Sequence, residues 1–194
     1  ILIKNQGSGA WSLYIDGSDI GLSGTDVDAF EMLPDGSLLM SFDTDFTLTG
    51  FGAVDDSDIL KFVPSSTGDN TAGAWQWYFD GSDVGLGANS NQDIDAFDLL
   101  DDGSILLSIT GDTTIPNVGA IDDADIVRFV PTALGQNTAG TYSWYFDGSD
   151  VGLGANSGQD IDAFDLLEDG SILLSIAAAS TLPNVGGIDD SDIV

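Results

Sequence analysis

The chain has 194 residues and a formal charge of −30, from 33 acidic and 3 basic residues, with no histidine and no cysteine. Those absences exclude a Ser-His-Asp triad, a Cys-His pair, a zinc finger and a disulfide framework. The charge repels nucleic acid phosphates and anionic headgroups, so neither is a partner, whereas 42% hydrophobic residues suffice for a packed core.

No apolar run reaches the roughly 18 residues of a membrane span, so no membrane insertion is expected. The first residue, Ile1, is not an initiator methionine. That is expected of a processed, exported chain or of a segment of a longer one, and points to the cell surface or the extracellular space.

In chain order, Ile1, Leu2, Ile3, Lys4 and Asn5 read as a short strand, and a Gly-rich link runs on to residue 9. Three copies of one unit follow, at residues 10–73, 74–140 and 141–194, with a period of roughly 65 residues. Residues 78–109 return at 145–176 with Asn91 against Gly158 and Asp101 against Glu168 as the differences; the first copy is more diverged. In the middle copy, strands are predicted at 75–79, 95–100, 104–109 and 126–130, rich in aromatic and β-branched residues. Asp102-Gly103 is a hairpin signal between the second and third. Runs such as ILLSI are apolar at consecutive positions, which predicts burial on both faces, one sheet lying between two others.

The order DIDAFDLL, DG turn, SILLSI, DIVRFVP, YSWYFDG resembles a four-stranded β-propeller blade. Together FDGSD, DIDAF and DDSDI resemble Asp-rich tandem repeats of large bacterial envelope proteins. The resemblance implies an all-β chain of tandem four-stranded antiparallel repeats, propeller-blade-like or sandwich-like. The unit is longer than the roughly 40–50 residues of WD40 or kelch repeats, and three blades are fewer than the about 4–8 that close a ring.

The basic residues fall one per copy in one strand type: Lys4 in ILIK, Lys61 in ILKF and Arg128 in IVRF. The third copy runs to Ile193 and Val194, inside that strand. The N-terminal strand is therefore expected to complete the last repeat, in cis by closing a ring or in trans by joining subunits head to tail, with Lys4 near Asp190 or Asp192. Alternatively, the boundaries are those of a piece of a longer array.

The acidity is almost all aspartate and recurs at three places per unit. FDGSD and its relatives carry Asp16, Asp19, Asp80, Asp83, Asp147 and Asp150; the segment before each DAF carries Asp26, Asp28, Asp93, Asp95, Asp160 and Asp162; the DDxD segments carry Asp56, Asp58, Asp123, Asp125, Asp190 and Asp192. In an extended chain, residues i and i+2 share a side, so each Asp-x-Asp can present two carboxylates to one point. Hard oxygen donors of this kind suit Ca²⁺, which takes about 6–8 of them. Gathered carboxylates raise one another's pKa unless a cation joins them, which favours a calcium site in each unit. Against it, Asp also forms turns, blunts strand edges and keeps a β-protein soluble; for Asp35, Asp101, Asp102 and Asp169 turn formation is the expectation.

Two carboxylates suffice for glycoside hydrolysis, but pairs repeated in every unit do not make one asymmetric cleft, so no enzyme is expected. Trp75, Trp77, Trp144, Tyr78 and Tyr145 could stack on a carbohydrate if exposed, or pack in the core. The expectation is thus an extracellular structural protein, a fibre or matrix subunit built by strand exchange between calcium-stabilised repeats. The alternative is a propeller-like binding module for a carbohydrate or protein, ring-closed or dimeric.

Overall fold

A computed structural model describes residues 1–87, 91–154 and 159–194. The chain is all-β with antiparallel sheets. It opens with β1 (Leu2–Lys4) and β2 (Trp11–Leu13), paired with each other. Next come β3 (Val27–Met32), β4 (Leu38–Phe42), a short hairpin of β5 (Phe46–Leu48) and β6 (Gly52–Val54), then β7 (Ile59–Ser66) and β8 (Ala72–Phe79). The first four-stranded sheet has the order β3-β4-β7-β8, and the hairpin stands outside it. The pattern returns as β9 (Ile94–Leu99), β10 (Ile105–Ile109), the hairpin β11 (Thr113–Ile115) and β12 (Gly119–Ile121), β13 (Ile126–Ala133) and β14 (Ala139–Phe146). The second sheet orders as β9-β10-β13-β14. Two pairs end the chain, β15 (Ile161–Leu166) with β16 (Ile172–Ile176), and β17 (Ser180–Leu182) with β18 (Gly186–Ile188).

The hairpins begin where the Asp-Gly signals stand, though by a longer turn than two residues. Gly103 N donates to Leu100 O and Leu100 N to Ser104 O, with Gly103 in the left-handed region at φ 82°. This is a turn over Leu100 to Gly103 closed by a left-handed glycine, a geometry that matches the twist of the flanking strands. Asp102 fixes it by accepting from Ser104 N at 3.0 Å.

β4 and β10 are buried at every position, because each lies between two apolar layers. Leu38, Met40 and Phe42 face Ile15, Leu48, Val54, Leu60 and Phe62 on one side, while Leu39 faces the second sheet. There it joins Ile94, Ile105, Leu107, Val127 and Phe129. Leu106 points the other way, toward Ile161, Leu174 and Ile176. Alternate residues of one strand thus serve two cores, which is what period-2 side-chain geometry requires of a run such as ILLSI. Phe79 of the first sheet meets Phe129 of the second edge to face at 5.1 Å.

Sheet follows sheet through the same bonds. Gly68 N donates to Tyr14 O at 2.9 Å, and Gly135 N to Tyr78 O at 2.8 Å. Asp16 N donates to Thr71 Oγ1 and Asp80 N to Thr138 Oγ1, both at 2.9 Å. On the other side, Ile94 N donates to Asp56 O at 3.1 Å and Ile161 N to Asp123 O at 2.9 Å. These links set β9 against both β3 and β15, so the first strands of successive sheets lie side by side.

The chain's two ends differ from the expectation in register. β1 pairs within the chain with β2, and the Ile1 amino group donates to Ile15 O. Lys4 lies opposite Trp11, the place that Phe62 holds opposite Trp75 and Phe129 opposite Tyr142, whereas Lys61 and Arg128 lie opposite Gln76 and Ser143. The Ile1 to Ile15 contact sets this register, so Lys4 is one residue later than the other two basic residues. Its ammonium stands over the Trp11 ring at 5.4 Å, and not beside Asp190 or Asp192. At the other end, Val194 exchanges both backbone bonds with Leu174, taking on β16 the position that Val127 takes on β10 opposite Leu107.

Candidate carboxylate sites between the sheets

The three groups of aspartates have three different surroundings. In the FDGSD group, Asp16 caps the 3-10 turn Gly17–Ile20, accepting from Ser18 N at 3.0 Å and from its hydroxyl at 2.6 Å. Those bonds, the hydroxyl's first, hold its carboxyl below the usual range. Asp147 does the same for Ser149, and Asp80 accepts from the Ser82 hydroxyl. Asp19 accepts from Thr71 N at 3.0 Å, tying two layers, while Asp83 and Asp150 are exposed. Asp16, Asp80 and Asp147 thus act as turn formers and Asp19 as a tie.

In the DDxD segments the last aspartate is an internal brace. Asp58 accepts from Asp55 N at 2.9 Å and from Gly81 N at 3.1 Å. Asp125 repeats this with Asp122 N and Gly148 N, and Asp192 accepts from Asp189 N. Burial pushes the Asp58 carboxyl up to about 8 and that of Asp125 upward as well. The middle aspartates use their main chains: the carbonyls of Asp56 and Asp123 receive the next sheet's first strand. Asp190 is exposed.

The third group gathers at the sheet interfaces. Asp93 lies just before β9, 8% exposed, with its carbonyl accepting from Thr110 N and its Oδ1 buried without a partner. Burial first, then Asp28 on β3, Asp95, Asp56 and Asp43, push it up to about 8. Asp28 itself goes to about 7 by desolvation and then by Asp43, Asp95, Asp26 and Asp56. The next interface repeats the arrangement with Asp160 before β15. Asp160 is pushed up to about 8 by burial, then by Asp95, Asp123 and Asp162. Asp95 reaches about 6, burial raising it and the Thr110 hydroxyl, which donates to its Oδ1 at 3.0 Å, holding it down. Asp95 Oδ2 and Asp160 Oδ1 are buried with no partner beyond each other's carboxyl, which can share a proton.

Asp28 of the sheet before is the first carboxylate acting on Asp93, with Asp95 next, while Asp95 also lies beside Asp160 of the sheet after. Among the described residues, no group of three or more carboxylates stands ready to hold a metal ion. The basic residues are engaged elsewhere: Lys61 with Asp35 at 3.1 Å, Arg128 with Asp102, and Lys4 over Trp11.

Sequence spacing did not reveal a further acidic row one turn of the strand away. Glu31 on β3 is pushed up to about 7 by burial and then by Asp98, and accepts from Leu99 N. Asp98 Oδ2 in turn accepts from Leu166 N at 3.1 Å. The signal available was the shared place of Glu31 and Asp98 in FEML and FDLL.

Two clefts repeat between the short hairpins and the last strand of each sheet. One of about 760 Å³ has Trp144 among Asp112, Asp122, Asp123 and Asp147; a smaller one of about 400 Å³ has Trp77 with Asp45, Asp55 and Asp80. Phe51 covers Trp77 at 5.2 Å, and the second hairpin has the smaller Val118 in that place, so Trp144 stays 43% exposed. Trp75 is a packing residue, its indole N–H donating to Ile20 O and its ring against Phe62. Tyr78 and Tyr145 are half-buried.

No model of a known protein family, no curated protein and no solved structure matches this chain.

Proposed function

We propose that the chain is a non-catalytic structural unit of an extracellular fibre or matrix, a stack of blade-like sheets that further copies extend head to tail. The observation that supports this reading is the sameness of successive interfaces. The bonds Gly68 to Tyr14 and Asp16 to Thr71 are repeated one sheet later as Gly135 to Tyr78 and Asp80 to Thr138. An interface that is repeated bond for bond can be repeated again, the logic of solenoids and arrays. It also follows the likeness to Asp-rich tandem repeats. Recurrent carboxylates with recurrent neighbours suit a structural tie better than one catalytic cleft.

Between chains, growth by strand exchange has a specific competitor. Ile1 and Leu2 of a neighbour, in the register β1 keeps with β2, would take on β16 the slots of Ile193 and Val194. The apolar side chains at stake are open: Leu2 is 62% and Ile193 71% exposed. Sedimentation velocity and electron microscopy over a concentration series test the reading. Growing head-to-tail oligomers, abolished by deleting residues 1–6, are expected; a monomer at every concentration, or oligomers unchanged by the deletion, would overturn assembly by strand exchange.

A second reading rests on Trp144, an exposed indole beside carboxylates in an open cleft, the pairing of flat face and hydrogen-bond acceptors that holds a sugar ring. It makes the chain a binding module for carbohydrate. Glycan binding lost in Trp144→Ala and kept in Trp77→Ala would favour it over the array.

A further inference from the structure

We propose that each interface between neighbouring sheets is a binding site for one hard divalent cation of the Ca²⁺ class, Asp93 with Asp28 and Asp56 forming the first and Asp160 with Asp95 and Asp123 the second. The proposal deepens the structural reading above by naming what ties one sheet to the next. It begins with Asp93, a carboxylate 92% out of solvent, whose Oδ1 has no hydrogen-bond partner. A buried carboxylate oxygen left without a partner is costly unless a proton or a cation meets it. Its near neighbours are carboxylates, and the three basic side chains are committed to Asp35, Asp102 and Trp11. Nothing of opposite charge in the described structure answers it.

Recurrence is the second line of argument. Asp160 holds at the next interface the position of Asp93, and its buried Oδ1 has no partner but the Asp95 carboxylate, whose Oδ2 is buried likewise and with which it can share a proton. The backbone that sets both is the same: Ile94 N on Asp56 O and Thr110 N on Asp93 O, then Ile161 N on Asp123 O and Ala177 N on Asp160 O. Main-chain bonds thus fix two of the three donors in each site, and the third comes from the preceding sheet's first strand. Where Asp43 stands in the first site the second has Thr110, whose hydroxyl already holds Asp95.

The donor set decides the ion. A chain without histidine or cysteine offers no soft ligand. Three carboxylates drawn from two sheets leave most of a coordination shell to water, which suits a large ion with a flexible shell more than Mg²⁺, which demands a tight octahedron. So few protein donors place the sites among weak ones, with a dissociation constant of about 0.1–1 mM, the range of extracellular modules.

The sites predict a crossover that turn aspartates would not give. Without cation, Asp93→Asn removes repulsion and should melt above the wild type; with millimolar Ca²⁺ the order should reverse, because the wild type gains a ligand and the variant does not. The test titrates the full chain with Ca²⁺ by calorimetry and follows melting in EGTA and in Ca²⁺. Asp93→Asn and Asp160→Asn should each lose half of the bound Ca²⁺, and Asp101→Asn, in an exposed turn, none. Circular dichroism confirms that each variant is folded, and Asp28→Asn serves where Asp93→Asn is not. Binding unchanged in these variants, or no binding at 10 mM Ca²⁺, would overturn the sites. Assembly is read separately by sedimentation: Ca²⁺ bound by a chain that stays monomeric would overturn the array and leave the sites standing.

Discussion

Gly81 offers a direct test of how tightly the DDxD loop before β7 is fastened to the turn after β8 within the first sheet. It follows β8, in the FDGSD turn, at an ordinary φ of −67°, so its lack of a side chain is required by space and not by backbone angle. A Cβ built there would lie 2.8 Å from Ser57 Cβ and 2.5 Å from Ser57 Oγ, and closer still to the Ser57 carbonyl oxygen. Ordinary carbon contacts begin near 3.5 Å, so alanine must push the two segments apart by roughly 0.7 Å. Overpacking of this kind costs about 1–3 kcal/mol. The same movement pulls Gly81 N from Asp58 Oδ1, now 3.1 Å away, and an acceptor left unpaired in a buried site costs about 1–3 kcal/mol more. Together Gly81→Ala should destabilise by about 2–6 kcal/mol, measured as a shift in urea midpoint by tryptophan fluorescence. Gly103→Ala is the control: its φ is 82° and a Cβ would meet nothing within 4 Å. The left-handed strain there, less the entropy alanine removes from the unfolded chain, comes to about 1 kcal/mol. If Gly81→Ala costs no more than Gly103→Ala, the close approach of Gly81 to Ser57 is not a structural constraint.

The rings of Phe79 and Phe129 join the first two sheets, so Phe129→Ala should cost about 3–5 kcal/mol, and a double-mutant cycle with Phe79→Ala should show about 0.5–1.5 kcal/mol of coupling in denaturant titrations. Glu31, raised from 4.5 to about 7 by burial and by Asp98, binds a proton more tightly folded than unfolded. Its contribution is therefore full below pH 4.5 and lost as the pH rises through 7, and Glu31→Gln should flatten the fall of the urea midpoint across that window; an unchanged slope would count against a buried Glu31. Lys61→Ala removes a pair whose Asp35 side chain is 61% exposed, and thermal melts should move by no more than about 0.5 kcal/mol.

Much of the sheet framework was legible because its signals are local. The strand expected at 104–109 is β10, Ile105–Ile109, and the one at 126–130 begins β13, Ile126–Ala133. Consecutive apolar residues in ILLSI correctly implied burial on both faces. The short hairpins escaped: three-residue strands such as Thr113–Ile115 and Gly119–Ile121 are too brief for alternation to register. Lys4 was aligned by its charge with Lys61 and Arg128, but register counts residues from the Ile1 to Ile15 contact and puts Lys4 where phenylalanine stands in the complete sheets. For the aspartates, sequence gave the recurrence and not the grouping. Spacing along one strand says which side chains share a face; it says nothing of which neighbour's strand lies alongside, and that brings Asp28 to Asp93 from one side and Asp160 to Asp95 from the other.

Attraction and repulsion meet at the same interface. Leu39, Ile94, Ile105, Leu107 and Phe129 draw the first two sheets together through a layer closed to water. At the edge of that layer Asp28, Asp56 and Asp93 push apart, the more strongly because burial has lowered the local dielectric. Apolar burial is indifferent to pH and to ions, whereas the carboxylate repulsion vanishes when a proton or a cation joins the cluster. The sheets' own ladders are held chiefly by backbone bonds, which do not titrate, with Asp58 and Asp125 bracing the DDxD loops. A proton or a cation that joins the cluster therefore acts on the contact of sheet against sheet, while the backbone ladders within each sheet stay as they are.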